Sequence, residues 1–586
     1  MAEVERWREV HAPDRVVAQL VARRDYLALR ASGPQFDALD AAGVELVAEK
    51  HALTFRVPPV ALATAFTALG PWGAGIEASL RAERPDWFAW LDAEAARDAA
   101  RAVSWKHLAA LSGADGPNDL VVLPDYNAFV ATIPADDPFH ALYAYQRFGV
   151  YWLHRAQGRA ILGDEMGLGK TPQALVAAAR WPDCRRLLVV APASVTGNWH
   201  NEGVRWAPDV PLVVLRGSRK VEKDLAMVRD PSVPRAGVVV SWGLLHLVRD
   251  VLEEIGFDTV IGDEAHRAKE MSARRTQAFV ALAHAAPRRL LLTGTYVRSR
   301  PREMWALLHA LVPRSLAIFA PYGDRYCKPK KNHTADGRVV KVYRGAAHLD
   351  ELRRRTMPWV LRRTKAQVLP NLPPKRRQFL PIEADAAVAR QLRLLEAELA
   401  GMEDEERAYG LLARMRQIVG LAKVEAALEW IEDAVAQGEP VVTFLHHTNV
   451  HEALCKGLDA RKIRHVSIVG GVPNKRRTEI AQAFQDGEYD VFLGSAAAQE
   501  GLTLTRSSHT FHIERWLVPG EEEQAEDRVH RIGQFWPVQN TYLRLVGTVD
   551  DKIHALVEQK RATVGAIMDR TSVERDLMLL YCKGRR

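Results

Sequence analysis

Ile161–Leu175 reads ILGDEMGLGKTPQAL: an apolar run, a glycine-rich turn, then a lysine and a threonine that open a helix-compatible stretch. Strand, turn and helix in that order gather backbone N–H groups and the positive end of a helix around one point, an arrangement that binds phosphate. Gly167 and Gly169 let the backbone approach closely, and Lys170 adds a point charge. Thr171 supplies a hydroxyl of the kind that holds Mg²⁺. Pro172 falls in the first helical turn, where N–H groups have no intrahelical partner to lose. One position departs from the general pattern G-x-x-x-x-G-K-[ST]. Asp164 stands where that pattern has glycine. A Gly-Lys-Thr alone can arise by chance in a long chain.

Apolar runs alternate with helix-compatible stretches on both sides of this loop. RAILGD, RRLLVVAP, AGVVVSW, FDTVIGDE and RRLLLTGT lie between about 140 and 310, and EPVVTFLHH, IRHVSIVGG, YDVFLGSA, SHTFHIERW and QNTYLRLV after about 438. Runs without polar alternation are buried on both faces, the mark of parallel strands with crossover helices. The fold class expected is α/β: two lobes with parallel sheets, helical and basic insertions between them, and a small α+β N-terminal domain. The divisions read as an N-terminal accessory domain of unknown role (1–135), a first lobe (136–312), an insertion or linker (313–430), a second lobe (431–570) and a tail (571–586). Within the first of these, GVELVAEKHALTFRVPPVALATAFTAL predicts strand, turn, strand and amphipathic helix.

At 586 residues, 48% hydrophobic and 26% charged, the chain is long enough for several cores. No apolar run approaches 18 residues, so no membrane span is expected, and the charged N-terminus does not read as a signal peptide. The four cysteines are scattered, which argues against structural zinc and disulfides. The net charge is +8, yet residues 328–377 alone hold 15 Lys/Arg against three acids. Such a concentration is either a solvated face or the footprint of a polyanion binder.

Two further elements bear on the phosphate loop. FDTVIGDEAH predicts a strand ending in Asp263 and Glu264, where one carboxylate can hold Mg²⁺ and the next can deprotonate an attacking water. EQAEDRVHRIGQ sets Arg528 and Arg531 three apart, on one face if the segment is helical, able to reach a γ-phosphate from the second lobe. Together they point to ATP hydrolysis.

Nine ordered pieces, LYAYQRFGVYWL, DEMGLGKT, LLVVAPASVTGNW, DEAH, LLTGT, VLRRTKAQVLPNLPPKRR, VVTFLHHTNV, GSAAAQEGLTLT and QAEDRVHRIGQ, resemble the motifs of Swi/Snf-type ATPases. These are superfamily-two helicase relatives with two RecA-like lobes. That family's loop has aspartate where Asp164 stands. The resemblance implies that Gln146 reads the adenine, Lys170 the phosphates, and Thr171 and Asp263 the Mg²⁺. It makes Glu264 the catalytic base, and His266, Thr293 and Thr295 the residues coupling hydrolysis to lobe movement. GTYVRSRPREMWALL, DRYCKP, YRGAAHLDEL and LPPKRRQ look like the annealing-helicase branch, whose members rewind strands and remodel forks. The N-terminal piece resembles either that branch's small substrate-recognition module or an unrelated packing domain. Tyr296 stands where the family usually has proline, and Val518-Pro519 replaces its common Trp-Asn-Pro.

The expectation is an ATP-dependent translocase on double-stranded DNA, using ATP and Mg²⁺, with duplex or forked DNA as partner and protein partners unknown. Three alternatives stand beside it: a strand-separating DNA or RNA helicase, a DNA-stimulated ATPase serving a defence or restriction complex, and a nucleotide-gated DNA clamp. Its place would be the cytoplasm and nucleoid in a bacterial or phage setting, and the nucleus in a eukaryotic one.

Overall fold

The computed structural model describes residues 124–568 apart from 297–299, 314–317, 334–338, 344, 401–404, 496–497 and 499–501. Of residues 1–123 it describes five strands and scattered helical positions. Those strands, β1 (Arg8–Ala12), β2 (Arg15–Ala22), β3 (Leu27–Ala31), β4 (Glu45–Glu49) and β5 (Ala52–Val57), form an antiparallel sheet in the order β1-β2-β3-β5-β4. The expected strand–turn–strand is the β4–β5 hairpin, closed between Glu49 and Ala52. The three strands before it were not anticipated, and the helix expected after it lies largely outside the described residues.

The first lobe is a seven-stranded parallel sheet. Its strands are β6 (Arg159–Leu162), β7 (Arg186–Ala191), β8 (Leu212–Val214), β9 (Ala236–Ser241), β10 (Thr259–Asp263), β11 (Arg288–Leu292) and β14 (Val360–Leu361), in the order β14-β6-β11-β10-β7-β9-β8. Strands β6, β7, β9, β10 and β11 are buried over nearly their whole length, which is why they read as unbroken apolar runs. Helices Ala144–Arg155, Lys170–Ala179 and Thr196–Trp206 cover one face; Val221–Arg229, Arg274–Ala285 and Pro301–Leu311 cover the other. In a parallel sheet all strands end on one edge. The three neighbours β6, β11 and β10 therefore deliver the phosphate loop, Thr293 and Glu264 side by side.

The second lobe has six parallel strands: β15 (Lys375–Ile382), β16 (Val441–Phe444), β17 (His465–Ile468), β18 (Val491–Gly494), β19 (His509–His512) and β20 (Val538–Leu545), ordered β15-β20-β19-β16-β18-β17. The segment read as an insertion serves both lobes. It lends β14 to the first sheet, beside β6, and β15 to the second, beside β20. Between β11 and β14 it also forms a hairpin, β12 (Lys330–His333) with β13 (Val339–Val342).

The basic run of residues 328–377 is only partly an outward-facing surface. Arg363 and Lys365 are buried at 4% and 2% exposure, and Lys375 and Arg377 turn onto acids of the second lobe. A share of the charge that the sequence offered to a polyanion is thus neutralised inside the protein.

Candidate nucleotide site between the lobes

Gly167 and Gly169 both have positive φ (85° and 69°), and Gly169 caps the helix that begins at Lys170. Lys170 Nζ donates to the Asp164 carbonyl at 2.9 Å and lies at the centre of the loop. Burial lowers its pKa, and the negative charges of Glu264, Asp164 and Asp263 work against that shift. Thr171 follows in the same first turn. Gln146 reaches the loop from a neighbouring helix: its Nε2 donates to the Leu168 carbonyl at 3.2 Å, while its Oε1 accepts the Tyr143 N–H at 3.0 Å.

Asp164 is fully buried and does not line the phosphate pocket as a spare acid. Arg363 Nε donates to its Oδ1 at 2.9 Å and Arg363 Nη2 to its Oδ2, while Arg363 Nη1 bonds the Tyr145 carbonyl. Gln173 Nε2 completes the cluster, donating to Asp164 Oδ2 at 3.2 Å and to the Gly169 carbonyl at 3.1 Å. Gly149 makes room, since a Cβ there would lie 1.8 Å from Gln173 Oε1. The residue that breaks the generic pattern is where the interlobe segment is tied to the phosphate loop.

At the end of β10, Trp199 Nε1 donates to Asp263 Oδ2 at 2.8 Å, and Trp242 Nε1 to the Asp263 carbonyl at 2.8 Å. Glu264 takes a left-handed backbone (φ 47°), a strained conformation for a glutamate, which turns its side chain out of the strand direction. Its Oε2 lies 3.2 Å from His266 Nδ1, which is 3.1 Å from Thr293 Oγ1; that oxygen in turn accepts the Thr295 N–H at 3.2 Å. Glu264, His266, Thr293 and Thr295 therefore form one connected line. Tyr296 fills the position after it by packing on Gly163, whose Cβ would meet the ring at 3.1 Å. Burial works against the Glu264 charge, but His266, Lys170 and Arg528 outweigh it and keep the carboxyl below its usual range. Burial and the adjacent Glu264 charge push Asp263 up. Two half-buried carboxylates in this conflict, consecutive at the end of β10, offer oxygen donors of the kind that suits Mg²⁺.

The second lobe meets this edge. Arg528, 5% exposed, donates from Nη1 to the Leu502 carbonyl at 3.3 Å, and its charge reaches Glu264. Arg531 donates to the Asp527 and Leu502 carbonyls (3.1 and 3.0 Å) and to Thr503 Oγ1 (3.0 Å). All three are neutral oxygens, and burial together with the Arg528 charge lowers its pKa to about 9, so an anion here would be stabilised. A Cβ on Gly167 would sit 3.2 Å from Arg531 Cβ, which places this arginine directly over the phosphate loop.

All twelve candidate residues thus gather around one cleft. Arg363, Gln173, Lys365 and Trp199 belong to it as well. Each lies in or beside a motif segment, but neither its residue type nor its spacing marks it for the site.

An SNF2-related domain matches residues 145–407 and a helicase conserved C-terminal domain residues 422–533. The DNA annealing helicase and endonuclease ZRANB3 of Bos taurus is 32% identical over 444 residues, covering 73% of this chain and 40% of that protein. A Caenorhabditis elegans homologue of SWI/SNF-related matrix-associated actin-dependent regulator of chromatin subfamily A-like protein 1 is 31% identical, covering 77% of this chain and 66% of that one. Among solved structures, the Sulfolobus solfataricus SWI2/SNF2 ATPase core in complex with dsDNA aligns over 73% of this chain and 92% of that chain, at 23% identity and a TM-score of 0.35. The chain belongs to the SNF2-related family of helicase-like ATPases. It spans about two fifths of the length of the ZRANB3 proteins it matches.

Proposed function

We propose that the protein is an ATP-dependent translocase on double-stranded DNA that remodels DNA or protein–DNA structures, with strand rewinding at forks as its form of action. The observation that carries this reading is Arg531 of the second lobe lying over Gly167 of the first, with Arg528 facing Glu264. A nucleotide between them would be held by both lobes at once, so hydrolysis and lobe movement are obligatorily linked.

In this reading the loop N–H groups and Lys170 hold the phosphates, and Gln146 lies beside the base. Thr171 and Asp263 would hold Mg²⁺, which supplies neutralisation of charge on the phosphate oxygens. Trp199 fixes the Asp263 carboxylate in one orientation. Glu264 orients the attacking water and takes its proton, with His266 carrying the change to Thr293 and Thr295. Arg528 and Arg531 stabilise charge on the transferred phosphoryl group. DNA contacts made through phosphates would be salt-sensitive and nearly indifferent to sequence.

ATP turnover measured with duplex, forked and single-stranded DNA and with RNA tests the reading. Stimulation by duplex or forked DNA is expected; rates no higher than for protein alone would refute it.

A further inference from the structure

The segment between the lobes carries a buried cation that the reaction scheme above leaves unused. Lys365 opens a short helix, Lys365–Val368, capped by Thr364, four residues after β14 joins the first sheet. Its backbone N–H donates to Glu165 Oε2 of the phosphate loop at 2.7 Å. Its side chain crosses to the second lobe, where Nζ lies 2.9 Å from Asp527 Oδ1 and donates to the His530 carbonyl. Asp527 directly precedes Arg528, and its carbonyl accepts the Arg531 Nε–H. The Cβ position of Gly167 is 3.6 Å from Lys365 Cε and 3.2 Å from Arg531 Cβ, so loop, lysine and arginine are packed together.

We infer that Lys365 is a positioning residue. By pairing with Asp527 while anchored to Glu165, it sets the Arg528–Arg531 segment against the phosphate loop. The inference rests on the cleft being an ATP site. Two features favour this over a purely structural ion pair. Asp527 keeps a second partner, Lys375 Nζ at 2.9 Å from the edge strand of its own lobe, so the second lobe does not need Lys365 to satisfy this acid. Lys365, in contrast, is held on the first-lobe side by its backbone and by its neighbour Arg363, locked onto Asp164. The pair therefore transmits the position of one lobe to the other. A buried lysine with a methylene stem along the loop is suited to this, because its reach is fixed by packing.

The test is steady-state ATP hydrolysis at saturating duplex DNA, with fluorescent ADP binding and thermal melting in parallel, for Lys365→Met, Asp527→Asn, Arg531→Ala and the pair Lys365→Met/Arg531→Ala. If wild-type protein does not hydrolyse ATP, the ATPase reading fails before Lys365 is at issue. If it does, Lys365→Met should lower kcat at least about tenfold, with KM for ATP and ADP affinity within about threefold, because the first-lobe contacts remain. Asp527→Asn should give the same pattern more weakly, so the proposal stays testable if Lys365→Met folds poorly. The double variant should be about as slow as Arg531→Ala alone, since Lys365 acts through that arginine. A folded Lys365→Met or Asp527→Asn protein with unchanged kcat, or losses that multiply in the double variant, would overturn the inference.

Discussion

Arg363 and Asp164 stand 199 positions apart and meet as a buried, two-pronged ion pair, with Nε to Oδ1 at 2.9 Å and Nη2 on the other oxygen. The aspartate that breaks the generic phosphate-loop pattern is therefore the anchor for the segment that joins the lobes. Restoring the generic residue with Asp164→Gly should be harmful, because it strands a buried guanidinium. Breaking one side of such a pair costs about 3–5 kcal/mol. Chemical denaturation should show that loss in the first lobe; an unchanged midpoint would mean the pair carries no such weight.

Removing the base should stop chemistry without releasing DNA. Glu264→Gln keeps the shape of the side chain at the end of β10 but cannot take a proton, and loss of general base catalysis is worth about 10²–10⁴ in rate. Lys170→Ala should be equally inactive through lost phosphate binding. Fluorescence anisotropy with labelled duplex should give DNA affinities close to wild type for both. Normal turnover by the Glu264 variant would remove it from this role.

Arg531→Ala leaves the phosphate loop and its first-lobe partners untouched. An arginine finger contributes about 10³–10⁵ in rate, so single-turnover hydrolysis should fall at least about a thousandfold. Nucleotide affinity should change far less.

Alkaline pH should act through Lys365. Burial lowers its pKa to about 8; Asp527 and Glu165 favour the charge, Lys375 opposes it, and the His530 carbonyl accepts from it. As pH rises from 7 to 9 this lysine discharges in the folded protein while remaining charged in the unfolded chain, whose reference value is 10.5. Folding then releases a proton, so this group adds stability as pH rises through that window even as its hold on Asp527 weakens. DNA-stimulated kcat should therefore fall around pH 8 without this group lowering the melting temperature, and Lys365→Met should flatten the part of that limb near pH 8. A profile identical for both proteins would contradict this.

The parallel sheets were legible because burial on both faces leaves mainly apolar residues in β6, β7, β9, β10 and β11, with polar side chains such as Arg159, Thr259 and Arg289 mostly towards the strand ends. The same reasoning could not see β14, two residues long and identifiable only by its pairing with β6. Nor could it find β1, β2 and β3 from a charge-rich stretch with weak alternation. The basic run of 328–377 was only partly readable, for a physical reason. A local charge count cannot tell an arginine that faces solvent from one whose acid lies 199 residues away, as with Arg363. Sequence motifs picked out residues that would touch the nucleotide. The side chains that tie those residues together, Gln173, Arg363, Lys365 and Trp199, became readable only once the strands had been set side by side.

Movement along duplex DNA driven by ATP can be read from a triplex-displacement assay. A labelled third strand bound to a long duplex should be removed in the presence of protein and ATP, while the duplex strands stay paired. Glu264→Gln protein should leave the third strand in place. Failure of the wild-type protein to displace it despite DNA-stimulated hydrolysis, or separation of the duplex strands themselves, would rule out translocation of this kind.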